Sequence, residues 1–452
     1  MFLTYTLRSL IGSAFGHKPR RRPGHHPRSR RLQLEALEDR CLLSGLAGYT
    51  VTDLGTLGGT FSEASAINNR SQVVGDATTP GDAQDHAFLK THGTMTDLGT
   101  LGGTFSSAAG INDRGQVAGA STTPADAQEH AFRDSGGVMS DLGTLGGTFS
   151  EATGINNRGE VVGAATTSGD AQEHAFLDSH GVMTDLGTLG GTFSFAAGIN
   201  DRGQVVGTAS TTAGQNHAFV DTNGKMTDVG TLGGSLSFGL GINNRGQVVG
   251  GAFTTGDAQI HAFLNTNGKM TDLGTLGGSN SEALAINSAG DVIGVSDLPG
   301  DTVQDAFLYS HGTMTDLNTL LPAGSGITNL LVDGINDRGQ IVGRGSDANG
   351  LNRALLLTPT SSDLVSPSRL VGSLAGPADI ASAAGSASSP AATGTHPQQT
   401  APPPAVVGAV VRQLMVARAG AAGAGSATVL ARQDIDRFFA ALGSNRPWAW
   451  GS

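Results

Sequence analysis

The chain has 452 residues, 69 of them Gly, and only 38% are hydrophobic. A Gly share about twice the usual one, with a low apolar fraction, points to many short strands joined by tight turns. The single cysteine, Cys41, excludes an internal disulfide framework and any Cys-built metal site. The net charge of −11 is uneven: nine Lys/Arg against three acids give residues 1–48 a charge of +6, which leaves −17 for the rest. So acidic a body argues against nucleic acid as its partner. No apolar run reaches the roughly 18 residues of a membrane span.

Residues 1–46 read as a basic targeting or sorting segment. Phe2, Leu3, Leu10, Ile11 and Phe15 are interrupted by Arg8 and followed by basic residues, which makes a poor secretory signal. Then comes Arg31-Leu32-Gln33-Leu34-Glu35-Ala36-Leu37-Glu38-Asp39-Arg40-Cys41-Leu42-Leu43-Ser44. Leu34, Leu37 and Cys41 would share one face of a short helix. The order of Leu, Glu and Arg and the Leu-Leu-Ser ending resemble the LEPR-XLL segment of many planctomycete surface and secreted proteins. Ala36 stands where that segment has Pro. The resemblance implies a secreted or cell-envelope location.

One unit then recurs across residues 47–359. Its Asp-Leu-Gly element begins at Asp53, Asp97, Asp141, Asp185, Asp228, Asp272 and Asp316 (Asp-Val-Gly at Asp228 and Asp-Leu-Asn at Asp316), and Ile-Asn recurs at Ile67, Ile111, Ile155, Ile199, Ile242, Ile286 and Ile335. His-Ala-Phe follows at His86, His130, His174, His217 and His261, degraded to Asp305-Ala-Phe and Arg353-Ala-Leu. The pattern resembles the HAF-type probable extracellular repeat.

Four strands are predicted per unit. In the first, strand a ends at Ile67 and Asn68-Asn69-Arg70-Ser71 turns the chain, Asn at the first position suiting a type I turn. Strand b is Gln72–Gly75, and a polar loop leads to strand c at His86–Lys90. Two residues such as His92-Gly93 or Asn223-Gly224 join strand c to strand d, the signature of a hairpin whose central residues need positive φ. Phe88, Leu89, Met95 and Leu98 occupy both faces of that hairpin, so the sheet is covered on both sides.

Four strands in about 44 residues is the size of a β-propeller blade. The repeats begin with an unpartnered strand d, Tyr49–Leu54, and end with an unpartnered strand c, Arg353–Leu357. Pairing the two would close a seven-bladed ring and remove two exposed edges.

In this register the d–a and b–c loops share one end of the disc, and the a–b and c–d turns the other. The first end collects Glu63, Asp82, Asp85, Asp126, Glu129, Glu151, Asp170, Glu173, Asp257, Glu282 and Asp301. Asp82, Asp126, Asp170, Asp257 and Asp301 are its candidate ligand residues, suited to a cationic partner or to Ca²⁺, although no Asp-x-Asp-x-Asp-Gly run is present to hold calcium. The second end collects Arg70, Arg114, Arg158, Arg202, Arg245 and Arg338 with Lys225 and Lys269, suited to an anionic polymer or glycan. The five histidines lie around a ring and cannot converge on one ion, so each is expected to bond the strand-d Asp beside it. Phe61, Phe105, Phe149 and Phe193 are expected to pack between units, with sugar stacking as the alternative. No catalytic, cofactor or metal residue is assigned, because near-interchangeable units lack the separate roles that catalysis needs.

Residues 360–425 read as a low-complexity Ala/Ser/Pro/Gly linker. A short amphipathic helix at 426–443 and a tail at 444–452 follow. The sequence thus describes a non-enzymatic extracellular or envelope-associated binding or scaffold propeller that recognises a protein or polysaccharide. The alternative is a polysaccharide lyase or hydrolase with its site at the central channel. Single-copy chemistry, if present, is expected in the longer d–a loop Leu320–Asp333 and in the sixth and seventh units.

Overall fold

The computed structural model describes residues 48–360. The sorting segment, the linker beyond Thr360, the helix and the tail lie outside the described residues.

Strand β1 (Tyr49–Asp53) precedes β2 (Ser62–Ile67), β3 (Val73–Thr78), β4 (Asp85–Thr91) and β5 (Thr94–Asp97). The last four pair in order as strands a to d of an antiparallel unit. The order repeats five times through β6–β25, from Ser106–Ile111 to Thr313–Asp316. Then β26 (Thr328–Ile335), β27 (Ile341–Ser346) and β28 (Asn352–Pro359) form three strands of the last unit. The fourth is β1, which pairs antiparallel with β28 and sets Val51 opposite Leu357. The fold is a β-propeller, closed by its own two ends. Strands a of successive units contact one another and surround the centre.

Strand b runs three residues beyond its expected end, because Ala77 and Thr78 are buried and pair with His86 and Asp85. Strand a extends back to Gly146, Gly190 and Gly233 in the third, fourth and fifth units, absorbing the Gly-Gly pairs. The c–d hairpins turn as expected: His92 and Gly93 have φ of 48° and 84°, and Asn223 and Gly224 have 56° and 78°.

Both faces of each unit are packed. Phe88 and Met95 join Leu54, Val342 and Ala354 of the last unit, while Leu89 and Leu98 join Ala108, Ile111 and Phe132 of the second. A hydrogen-bonded serine stitches each of six interfaces. Ala87 donates its N–H to Ser106 Oγ (2.8 Å), and Ser106 donates to the Gly99 carbonyl (2.6 Å). Ser62 repeats the first of these bonds with Ala354 across the closure. In the last unit Leu330 occupies the serine position and is buried in an apolar cluster with Leu317, Leu320 and Tyr49.

Each Val-Val-Gly glycine of strand b faces a bulge in strand a, where a Cβ would run into a carbonyl oxygen, that of Glu151 for Gly163. A second small position lies one residue before the Ile of strand a. A Cβ on Gly110 would stand 3.2 Å from Gly154 Cα of the next unit, so neighbouring backbones meet there.

The closure carries a buried ion pair. Arg344 of β27 donates through Nη1 to Glu63 of β2, at 7% and 3% exposure. Asp76 and Asp85, equally buried, lie on the same sheet as Glu63, but the guanidinium bonds Glu63, while Asp76 accepts from Ser107 Oγ at 2.9 Å. Burial pushes the Glu63 carboxyl up and Arg344 pulls against it.

Two outcomes follow from this packing. Gly163→Ala should lower the unfolding free energy by about 2 kcal/mol in a denaturant titration, as overpacking does. Arg344→Met should cost about 3 kcal/mol by stranding Glu63, and Glu63→Leu in the same chain should recover most of it. No recovery in the double variant would show that the pair does not act as one.

Candidate functional site

The a–b turns converge on the centre of the disc. In each, the Asn after Ile is fixed by its own turn: Asn68 Oδ1 accepts the N–H groups of Arg70 (3.0 Å) and Gln72 (2.9 Å). That leaves its amide free to cross to the next unit, where Nδ2 donates to the Asn112 carbonyl at 2.9 Å. Asn112, Asn156, Asn200, Asn243 and Asn287 do the same in turn, and Asn336 donates back to the Asn68 carbonyl at 3.0 Å. Seven amides thus form a closed belt. The expectation of a turn residue holds, and the cross-unit bond is an addition that a single turn does not reveal.

The next residue makes a second belt, in which Asn and Asp alternate: Asn69, Asp113, Asn157, Asp201, Asn244, then Ser288 and Asp337. Asp113 Oδ1 accepts the Asn69 N–H (2.8 Å), and Asp201 Oδ2 accepts the amides of Asn157 (3.1 Å) and Asn244 (2.8 Å). No two carboxylates are adjacent. These two belts and the seven isoleucines line a cavity of about 170 Å³ at this end of the central channel.

The third turn residue is Arg in six units, and all six are exposed around the mouth. Each head whose position is fixed leans towards the next unit. Arg338 Nη1 donates to Ser71 Oγ (3.4 Å) and Arg245 Nη1 to the Ala289 carbonyl (3.2 Å), while Arg158 lies against Gly203 and pairs with Glu160 at 2.6 Å. Lys225, just before strand d of the fourth unit, and Lys269, which starts strand d of the fifth, are also exposed at the same end. Arg70 and Asp82 lie at opposite ends of β3, so the acidic and basic groups are separated as the register requires.

At the other end, the candidate ligand aspartates hold the loops together. Asp82, with φ of 53°, accepts from Thr60 N (2.7 Å), Thr60 Oγ1 (3.0 Å) and Thr78 Oγ1 (2.6 Å). Asp126 and Asp170 repeat all three contacts, while Asp257 and Asp301 accept from Ser235 and Ser279. These hydrogen bonds hold the Asp82, Asp126 and Asp301 carboxyls below the usual range. Three acids assigned to this surface are not on it: Glu63, Asp85 and Glu282 are buried inside the ring, because they point along the interfaces between units. The four phenylalanines are half-buried, and the parallel pairings of Phe105 with Asp85 and Phe149 with Glu129 place them at unit boundaries.

The histidines bond as expected. His86 Nδ1 meets Asp97 at 2.9 Å, and His130, His174, His217 and His261 meet Asp141, Asp185, Asp228 and Asp272 at 2.7–2.8 Å. In the last unit Arg353 replaces His, 3.3 Å from Asp347 and 4.0 Å from Asp53. In the sixth, Asp305 faces Asp316, whose carboxyl is raised by burial first and by Asp305 in addition. The longer d–a loop is used in packing: Leu317 and Leu320 sit in a short 3₁₀ turn capped by Asp316 and are buried beside Leu330. Among the described residues no group of three or more His, Cys, Asp or Glu could hold a metal ion. No described helix is long and apolar enough to cross a membrane.

No protein-family model matches the chain, and no curated protein matches it. Among solved structures it is similar to the β-propeller domain of the Trilobed protease from Pyrococcus furiosus, at 9% identity and a TM-score of 0.44, over 69% of this chain and 99% of that one. It is also similar to the acylaminoacyl peptidase of Pyrococcus horikoshii (10%, 0.44), covering 67% of this chain and 52% of that one. A third is a lectin from Aleuria aurantia in complex with α-methyl-L-fucoside (11%, 0.29), over 60% and 99% of the two chains.

The buried acids make stability depend on pH. The Asp85 carboxyl is pushed up to about 7, first by burial and then by Glu63 and Asp82, with His86 opposing. A raised carboxyl contributes stability that is full below the ordinary carboxylate range and is lost as pH rises through the folded value. The melting temperature should therefore fall between about pH 4 and about pH 7, and Asp85→Asn should flatten that fall. Parallel profiles for the two proteins would contradict the assignment.

Proposed function

We propose that the chain is a non-enzymatic, HAF-type extracellular or envelope-associated propeller that binds an acidic polysaccharide on its turn face. The observation that carries this reading is the crown of six exposed arginines at equivalent places around one mouth. A guanidinium presents a planar fork to carboxylate or sulfate groups. Arg70, Arg114 and Arg202 have no side-chain partner among the described residues, so their forks face solvent. Several weak, equivalent contacts suit a repeating ligand, whose second and later contacts form within one complex.

The opposite face supports the choice, since its aspartates are engaged in holding loops. The mouth supports a binding role as well. It repeats one Ile-Asn step, with amides and carboxylates that bond each other across units.

The test is titration of the full chain with polygalacturonate and with a neutral glucan of equal length. Binding is expected for the acidic polymer alone, weakening as salt screens the contacts. Arg114→Ala with Arg202→Ala should lower its affinity about tenfold. Equal binding of both polymers, or an unchanged affinity in the double variant, would overturn the reading.

A further inference from the structure

The crown is not closed. The sixth unit has Ser288-Ala289 where other units have Asn or Asp followed by Arg. Because heads lean forward, Arg245 covers the sixth turn through the Ala289 carbonyl, and no arginine of the sixth unit reaches the seventh. The guanidinium series therefore starts at Arg338, runs through the first to fifth units and stops on the sixth.

A second asymmetry lies beside that stop. The residue three before the strand-d Asp is Thr94, Val138, Val182 and Thr313 in four units, and Lys in the fourth and fifth, at Lys225 and Lys269. Both lysines are exposed at the outer edge of the same face. Other cations in the hairpins are committed elsewhere: Lys90 Nζ donates to the Leu54 carbonyl at 2.7 Å, and Arg133 to the Gly159 carbonyl at 3.3 Å. Among the described residues, exposed positive charge thus reaches the outer edge of this face over the fourth and fifth units, next to the gap.

We infer that the crown is an open track with one anchored end, where a linear acidic polysaccharide crosses the rim at Lys225 and Lys269 and follows the arc from Arg245 and Arg202. This rests on the reading above and adds direction and a primary subsite to it. A closed crown would suit a compact or radially symmetric anion. An open arc with a basic exit suits a chain longer than the mouth. The a–b and c–d turns carry no Phe, Tyr or Trp, so the track lacks the stacking platforms that hold single-stranded nucleic acid.

The experiment uses the full chain with three probes: an oligogalacturonate tetrasaccharide, a heparin-derived tetrasaccharide, and long polygalacturonate. Lys225→Ala/Lys269→Ala is compared with Arg70→Ala/Arg338→Ala, which removes the same charge from the far side. The lysine pair should weaken tetrasaccharide binding about tenfold and the arginine pair less than about twofold, while both weaken the long polymer. The two tetrasaccharides distinguish carboxylate from sulfate as the preferred anion. Equal losses from the two pairs would overturn the track and leave polysaccharide binding standing. No binding of any probe by the wild type would overturn both. Oligodeoxynucleotide binding through the same lysines, at equal charge and tighter than either tetrasaccharide, would reassign the site to nucleic acid.

Discussion

The ring depends on one side chain doing two jobs. The Asn that ends strand a folds its carbonyl oxygen back on its own turn and sends its amide to the next unit. A buried amide without partners costs on the order of 1–3 kcal/mol. Here turn and interface must form together before either donor or acceptor is satisfied, and the reward is shared around seven positions. The geometry of the mouth, the pitch of the arginines and the small residues before Ile all follow from holding strands a at that separation. A longer side chain would push the units apart, and a shorter one would leave the carbonyl unpaired.

Near-identical repeats raise a problem of register, since most interfaces could accept most units. The buried pair at the closure answers it. Arg344 meets Glu63 at its own neighbour, whereas at the corresponding strand-a position of the other units it would meet Ser107, Glu151, Phe195, Phe238 or Glu282. Only two of those carry a carboxyl. Buried charge is weak evidence for stability, but fixing register is its best-attested role. The acids clustered there, raised by burial, make the same seam sensitive to pH.

Much of this was legible in the sequence, because it is local. Hairpin turns, unit length and the His–Asp contact within one unit come from short spacings, and the closure from two strands without neighbours. What escaped is contact between units. Nothing within 44 residues says that Ser106 receives a bond from Ala87, or that Asn68 spans to Asn112. Burial was misjudged for Glu63, Asp85 and Glu282, since charge suggests a surface while strand alternation turns them into an interface. The aspartates at Asp82 and its equivalents have a loop role that needs a threonine 22 residues earlier in the chain to be seen.

The belt of alternating Asn and Asp has one more consequence. Two kinds of residue can take turns perfectly around an even cycle, but not around an odd one. With seven places, two amides or two carboxylates would have to sit side by side somewhere, and a short hydroxyl, Ser288, relieves that frustration. The disc therefore has an address. A body that would look the same after every seventh of a rotation has one distinguishable place, and a partner arriving at its face can be held in one orientation.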